Sequence, residues 1–228
     1  EVFGINNQIR ELEIDEEREM IRILRALADN IRPHMPLLLE SYDFLGMIDA
    51  IRAKARLSIE MEAGQPDIAD SPVIDWIQAR HPLLYMAYKP QRKHVEPMSL
   101  SLDTENRILV VSGPNAGGKS VALKTCGLVQ YMLQCGLPVP MAEHSRAGVF
   151  ERIFIDIGDQ QSIENDLSTY SSHLLNMKFF LHNSNEKTLF LIDEMGSGTE
   201  PRVGGAIAEA VLNGLNQKKA FGLVTTHY

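Results

Sequence analysis

The chain has 228 residues, of which 44% are hydrophobic and 23% charged, and its formal net charge is −8. This composition suits one large or two small globular domains with a real hydrophobic core. The sequence has no signal-peptide pattern, no apolar run of the roughly 18 residues that a membrane span needs, and no dense Lys/Arg cluster for autonomous nucleic-acid binding. We therefore expect a cytoplasmic protein without membrane contact.

The first part of the chain predicts two helices. Apolar residues recur at mixed three- and four-residue steps over residues 5–31, which is typical of a long amphipathic helix. Pro33 and Pro36 interrupt it, and a second helical stretch continues to about residue 59. Together these stretches predict a helical hairpin. The charged run at residues 11–25 is interpreted as a solvated face with i,i+4 pairs, the alternative being a partner-binding surface.

A turn-rich segment at residues 64–72 is the best candidate for a domain boundary. It divides the chain into a helical segment, residues 1–65, and a second domain, residues 70–228. Short strand-like runs follow at residues 73–77 and 98–102, and they predict a small antiparallel lead-in. Trp76 lies in the first run, where a core position is favoured over a stacking platform.

Residues 108–112, Ile-Leu-Val-Val-Ser, are a short apolar run that predicts a buried parallel strand. The next residues fit the P-loop pattern at every fixed position, and a helix follows from Val121. The candidate nucleotide-binding residues here are the loop residues Gly113, Pro114, Asn115, Ala116, Gly117, Gly118, Lys119 and Ser120, together with Val121. Glycines are needed there because backbone N–H groups must converge on phosphate oxygens beside the positive end of the helix dipole.

The side chains of this loop predict specific roles toward ATP and magnesium. Lys119 would reach the β- and γ-phosphates, and the Ser120 hydroxyl would hold the metal. The alternative is a glycine-rich turn that only packs a helix on a strand. The combination of strand, loop, lysine, hydroxyl and helix favours the nucleotide site.

The predicted helix after the loop contains both cysteines of the chain, Cys126 and Cys135. Nine residues on one helix place them about half a turn out of phase and about 13 Å apart along its axis. They are too far apart to pair. Reduced thiols that serve as small core residues are expected, rather than a redox pair.

The third quarter of the chain predicts a strand, a polar loop and a helix. Residues 152–157 form the strand pattern and residues 158–162 the loop. A helix follows to about Asn183, with Ser168 or Thr169 at its N-cap position. A helix N-terminus is also a site for anions, so this serine is a candidate for phosphate binding as well as for capping.

Residues 188–194 are an apolar strand that ends in Asp193 and Glu194. A parallel strand delivers such residues to the sheet edge where open α/β sheets bind ligands. Asp193 is the candidate magnesium ligand, and Glu194 the candidate for polarising the attacking water. A helix over residues 203–215 and a strand over residues 221–226 follow. The strand leads to His227, a candidate sensor of the γ-phosphate.

The order of these motifs is similar to that of ABC-type ATPases, and the residues within them resemble those of the ATPase domain of the MutS family. The resemblance rests on GPNAGGKS, DLSTYSSH, LFLIDEMGSGTEP and VTTHY. GDQQSIENDLSTYSSH and the N-terminal helices resemble the second bacterial branch of the family, which lacks the mismatch-reading domain. The departures are Ala116, where a larger residue is usual, and Tyr170, where Phe is common.

This resemblance implies an α/β fold: an ABC-type P-loop NTPase domain with a mixed sheet and flanking helices, preceded by lever helices in a long hairpin. It implies a magnesium-dependent ATPase with ATP and magnesium as cofactors. Lys119, Glu194 and His227 would act in catalysis. The site would be shared across a homodimer, in which Ser168 of one subunit meets the γ-phosphate bound by the other.

The resemblance also implies a partner. The chain is expected to be part of a longer, DNA-associated bacterial protein that acts on branched DNA, in recombination control or in mismatch repair. Contact with DNA, and any nuclease activity, would depend largely on regions outside this chain. The alternatives are a nucleotide-gated clamp that acts on stalled ribosomes and, less favoured because the LSGGQ wording is absent, another ABC-type ATPase.

Overall fold

In the computed structural model the described residues are 2–114, 117–158 and 166–227, with only the backbone described for residues 166–169. Its contacts divide the chain into two compact units, Glu1–Ala53 and Lys54–Tyr228. The division falls ahead of the turn-rich segment, because Met61, in the last helical turn before that segment, is buried in the core of the second unit.

The first unit is helical, and its second helix continues past Ala53 into the residues of the second unit. Helix α1 spans Val2–Ile31, a 3-10 turn spans Arg32–His34, and helix α2 spans Met35–Met61. The predicted pair of helices and the interruption at Pro33 are confirmed, whereas Pro36 lies in the first turn of α2 and does not interrupt it. No residue of α1 is buried, so its charged face is solvated in this chain. Its ion pairs have a spacing of three residues rather than the predicted four, as between Arg18 and Asp15 at 3.2 Å.

The second unit contains a small mixed sheet. Its strand order is β1-β5-β2-β3, and the strands are β1 Asp67–Ala69, β2 Ile74–Ala79, β3 Met98–Leu102 and β5 Arg146–Gly148. The predicted antiparallel pairing of β2 with β3 is confirmed. The sequence did not reveal β1, β5 or the helix α3, Pro82–Tyr88, because segments this short carry little periodicity.

A second sheet is parallel throughout. Its order is β4-β8-β7-β6, and its strands are β4 Ile108–Ser112, β6 Arg152–Asp156, β7 Thr188–Ile192 and β8 Phe221–Thr226. The ranges of β4, β7 and β8 agree with the sequence. Since all four strands run in one direction, their carboxyl ends meet at one edge, the usual place of ligand sites in such sheets.

Strand β4 is less buried than its composition predicts. Leu109 is 40% exposed and Val110 is 46% exposed, whereas every residue of β7 and β8 is buried. The physical reason is the strand order: among the described residues β4 pairs on one side only, with β8. The prediction of a parallel strand is therefore confirmed, and the prediction of a buried one is wrong.

Helices cover both faces of the parallel sheet. The helices are α4 Lys119–Gln134, α5 Asp166–Asn183 and α6 Pro201–Gln217. Alternate residues of β7 enter two separate apolar clusters: Leu191 packs in the cluster that contains Leu123 of α4, and Phe190 in the one that contains Met177 of α5 and Leu215 of α6. Strand β7 is thus buried on both faces of the sheet.

Two details of the predicted elements change. Helix α5 begins at Asp166, so Ser168 lies in its first turn and is not its N-cap. Helix α6 begins at Pro201 and not at residue 203. Glu200 caps it by accepting a hydrogen bond from the Val203 N–H at 3.2 Å. Of the described helices, none is both long and apolar enough to cross a membrane.

The two cysteines separate as the helical spacing requires. Both are free, with Cys126 buried and Cys135 exposed. Burial raises the pKa of the Cys126 thiol to about 12, so it is an inert core residue. The core assignment is confirmed for Cys126 and for Trp76, which is also buried, but it is wrong for Cys135. Half a turn of phase places the second thiol on the opposite face of α4.

Gly148 provides a test of the mixed sheet. A Cβ atom at this position would lie 2.2 Å from the Ser71 carbonyl oxygen and 2.4 Å from the Val73 nitrogen, and neither backbone atom can move aside easily. We expect Gly148→Ala to lower the free energy of unfolding by about 1–3 kcal/mol, measured in urea. The control is Gly205→Ala, where nothing lies within 4 Å. Equal unfolding midpoints for the two variants would contradict this packing.

Candidate functional site

The predicted P-loop connects β4 to α4 at the carboxyl edge of the parallel sheet. Gly118 is the residue before α4 and has φ of 80°, a left-handed conformation that favours glycine. Lys119 is only 6% exposed, and its ammonium group donates a hydrogen bond to the Gly113 carbonyl across the loop. Asn115 and Ala116 lie outside the described residues. The first turn of α4 thus leaves the sheet edge with its N–H groups at the loop.

The two predicted magnesium ligands lie together. The Ser120 hydroxyl donates to the Asp193 Oδ1 atom at 3.3 Å, although 73 residues separate them in the sequence. Asp193 follows β7 and is 7% exposed. A hydroxyl and a carboxylate are oxygen ligands of the kind that Mg²⁺ prefers. The donor atoms at this position therefore fit a magnesium ion.

Glu194 and His227 also lie side by side. The His227 Nε2 atom is 3.3 Å from the Glu194 Oε1 atom, and both side chains are partly exposed. Glu194 has φ of 48°, which is uncommon for a residue with a side chain. Its backbone turns away from β7 at this point, so its carboxylate faces the sheet edge beside the histidine. The structure brings together the two residues that the sequence assigned to water activation and to γ-phosphate sensing.

Sequence reasoning missed the residue that connects Asp193 with Glu194. Thr225, in β8, accepts a hydrogen bond from the Glu194 N–H at 2.8 Å, and its hydroxyl donates to the Asp193 carboxylate. A threonine in a strand is ordinary on composition alone. Its position two residues before His227 was the only signal in the sequence.

A second missed group lies where β6 ends. The Asp156 carboxylate is 2.7 Å from His173 Nδ1 and accepts a hydrogen bond from the Asn176 amide at 2.9 Å. Asp156 is buried, and both partners are on α5, so the pair fastens that helix to the sheet edge. The hydrogen bond that His173 donates to the Asp156 carboxylate raises the pKa of His173 above its usual value, against a smaller lowering by burial. The sequence singled out the carboxylates at the end of β7 but not Asp156 at the end of β6.

Ser168 is not placed among these residues. It lies in the first turn of α5, and its side chain is outside the described part of the chain. Val121, also a predicted ligand residue, is in the first turn of α4 and half exposed. The roles of both toward a nucleotide stay predictions.

Residues 109–228 match the family described as MutS domain V. The matched region contains the loop, the two carboxylates and the histidine. The chain belongs to the MutS family. It is 42% identical to the endonuclease MutS2 of Carboxydothermus hydrogenoformans over 97% of its own length and 28% of the relative. It is 44% identical to the endonuclease MutS2 of Gemmatimonas aurantiaca over 99% of its length and 27% of the relative.

These relatives agree with the resemblance to the second bacterial branch of MutS. A further one, the endonuclease MutS2 of Clostridium kluyveri, is 42% identical over the whole chain. The chain spans about 28% of the length of the curated relatives it matches. What those proteins do as wholes therefore concerns this MutS-family chain only as a proposal.

The Asp156–His173 pair predicts a pH-dependent stability. Because the pKa of His173 is raised in the folded chain, the stabilisation is full below the unfolded value of about 6.5 and is lost as pH rises through the folded value. We expect Asp156→Asn to cost about 1–3 kcal/mol of unfolding free energy at pH 6 and less at pH 9. Urea unfolding at several pH values measures this difference.

The matched control is Glu96→Gln, which removes the carboxylate beside His94. That pair is 3.2 Å apart, but its side chains are 76% and 89% exposed, so its loss should change stability little at any pH. A cost for Asp156→Asn that stays constant from pH 6 to 9 would contradict the assignment.

Proposed function

We propose that this chain is the ATP-binding and ATP-hydrolysing part of a MutS-type DNA-associated protein. The observation that carries the proposal is the 3.3 Å contact between Ser120 and Asp193. One residue comes from the predicted P-loop and the other from the strand that ends in two carboxylates. Their convergence at the carboxyl edge of a parallel sheet is the arrangement that a magnesium nucleotide needs.

Phosphate binding would fall to the loop and the start of α4. Its N–H groups and the positive end of the helix dipole favour an anion there. Lys119 lies at this end of the helix with its ammonium group turned over the loop onto the Gly113 carbonyl. Exchange of this neutral acceptor for phosphate oxygens would pair the ammonium charge with an anionic acceptor and add Coulomb attraction to the hydrogen bond.

Magnesium would be held by Ser120 and Asp193. When bound, the ion would neutralise charge that develops on the phosphoryl oxygens. Glu194 would accept a proton from an attacking water, a role that its partial exposure and its contact with His227 support. His227, beside Glu194, would donate a hydrogen bond to the transferred phosphoryl group or hold the glutamate in position.

The second half of the site would come from a second copy of the chain. Ser168 lies in the first turn of α5, whose N-terminal N–H groups suit an anion. In the proposed homodimer this turn faces the γ-phosphate bound by the partner. ATP would then join two subunits, and its hydrolysis would release them. This cycle would open and close the lever helices, α1 and α2.

DNA is the proposed partner of the whole protein. This is supported by the family and by the relatives named endonucleases, while the chain itself has a net charge of −8 and no dense basic cluster in its sequence. An acidic surface opposes the phosphate backbone, so DNA contact and nuclease chemistry are assigned to regions outside these residues. The contribution of this chain would be the nucleotide-controlled movement.

The first test of the proposal is removal of the loop cation. We expect Lys119→Ala to weaken ATP binding at least about 100-fold, because phosphate charge then meets no side-chain cation. Isothermal calorimetry with Mg·ATP measures the affinity. Lys124→Ala is the matched control, since Lys124 is exposed on the same helix. Unchanged affinity for Lys119→Ala would contradict the nucleotide site.

The second test asks whether two copies build one active site. Lys119→Ala and Ser168→Ala are each expected to lose most turnover, the second by about 100-fold from the loss of one donor to the transition state. Mixed dimers of the two variants contain one complete site. A one-to-one mixture should therefore recover about a quarter of wild-type turnover, from statistical pairing in a symmetric dimer.

Turnover should also rise with protein concentration, because assembly precedes chemistry. A mixture that stays as inactive as its two components would contradict the shared site. The same would follow from full turnover by Ser168→Ala that does not depend on concentration.

A further inference from the structure

Thr225 lies beside the two carboxylates of the candidate site, and none of the roles proposed above includes it. It belongs to β8 and is fully buried. Its hydroxyl lies between Asp193 and Glu194, where it accepts from the Glu194 N–H at 2.8 Å and donates to the Asp193 Oδ1 atom. The hydroxyl thus donates to the side chain of Asp193 and accepts from the backbone of Glu194.

The backbone of Thr225 holds the same turn. Its carbonyl accepts a hydrogen bond from the Met195 N–H at 2.8 Å. One residue of β8 therefore contacts each of three consecutive residues, 193–195. Because Thr225 is itself paired with Val111 of β4, its position is fixed by the sheet and not by the turn that it holds.

The strand register explains why a side chain is needed here. The pairing of β7 with β8 ends at Ile192 and Val224, whereas β8 continues to Thr226. Beyond Ile192 the chain turns, and Glu194 takes a left-handed backbone conformation with φ of 48°. That conformation is unfavourable for a residue with a Cβ atom, so surrounding contacts must maintain it. The Thr225 hydroxyl supplies the acceptor that the Glu194 N–H has lost from the ladder.

We infer that Thr225 is a positioning residue for the ATPase reaction, which rests on the function proposed above. Its hydroxyl proton fixes the Asp193 oxygen that Ser120 also contacts at 3.3 Å, so it sets the direction of the proposed magnesium ligand. Its hydroxyl oxygen holds the strained backbone of Glu194, so it also sets the direction of the proposed general base. Loss of this one hydroxyl should disturb both at once.

The experiment compares Thr225→Val, which keeps the shape and removes the hydroxyl, with Thr225→Ser, which keeps the hydroxyl. Thr125→Val is the matched control, because Thr125 is buried too but donates only to the Val121 carbonyl of its own helix, at 2.7 Å. Turnover is measured against ATP and against magnesium concentration. Binding of a fluorescent ATP analogue in EDTA and thermal unfolding are measured in parallel.

For Thr225→Val we expect turnover to fall about 10- to 100-fold, which is the effect of losing one hydrogen bond to a charged group. The magnesium concentration that gives half-maximal turnover should rise. Binding of the analogue in EDTA should stay within about twofold of wild type, because the phosphate loop is unchanged. Thr225→Ser should recover most of the turnover and the magnesium dependence. If Thr225→Val does not fold, Thr225→Ala carries the same expectation.

Wild-type turnover and magnesium dependence in folded Thr225→Val would overturn the inference and leave the ATPase proposal standing. An equal loss in Thr125→Val would also overturn it, since the effect would then be one of buried threonines in general. A wild-type chain that binds no ATP analogue at all would overturn the proposed function itself, and the inference with it.

Discussion

The candidate site depends on the parallel pairing of β7 with β8. Because of this pairing, Asp193 and Glu194 lie at the same sheet edge as Thr225 and His227. Every residue of the two paired strands is buried. Pairing of β8 with β4 then brings the loop and Ser120 to the same edge. Side chains on fixed backbone cost little entropy to hold, so the site is organised before any ligand arrives.

The second fixed point is the attachment of α5 to the end of β6. A buried carboxylate left unpaired would be costly, and His173 and Asn176 together satisfy Asp156. The same contacts set where α5 starts relative to the sheet, and therefore where its first turn points. In the proposed dimer that turn reaches the partner's phosphate. The polar triad thus connects the cis half of the site to the trans half within one subunit.

Much of this could be predicted from the sequence, because the strands that carry the site are short apolar runs with chemical residues at their ends. The ranges of β4, β7 and β8 and the meeting of Ser120 with Asp193 follow from that pattern. The exposed side of β4, the exposed thiol of Cys135 and the role of Thr225 do not. The first and the third depend on strand order and register, which are properties of the assembled sheet. The half-turn between the two cysteines follows from their spacing, but which of them faces the core depends on the side of α4 that packs on the sheet.

The central claim is that Ser120 and Asp193 hold one divalent ion on a bound nucleotide. Manganese can replace magnesium in this measurement, because free manganese gives an electron paramagnetic resonance signal. The signal decreases as the ion binds when the ATP-saturated chain is titrated into a manganese solution. We expect Ser120→Ala and Asp193→Asn each to weaken manganese binding at least about 10-fold while ATP binding in EDTA is retained, since the phosphate loop is intact in both. Manganese binding at wild-type strength in both variants would contradict it.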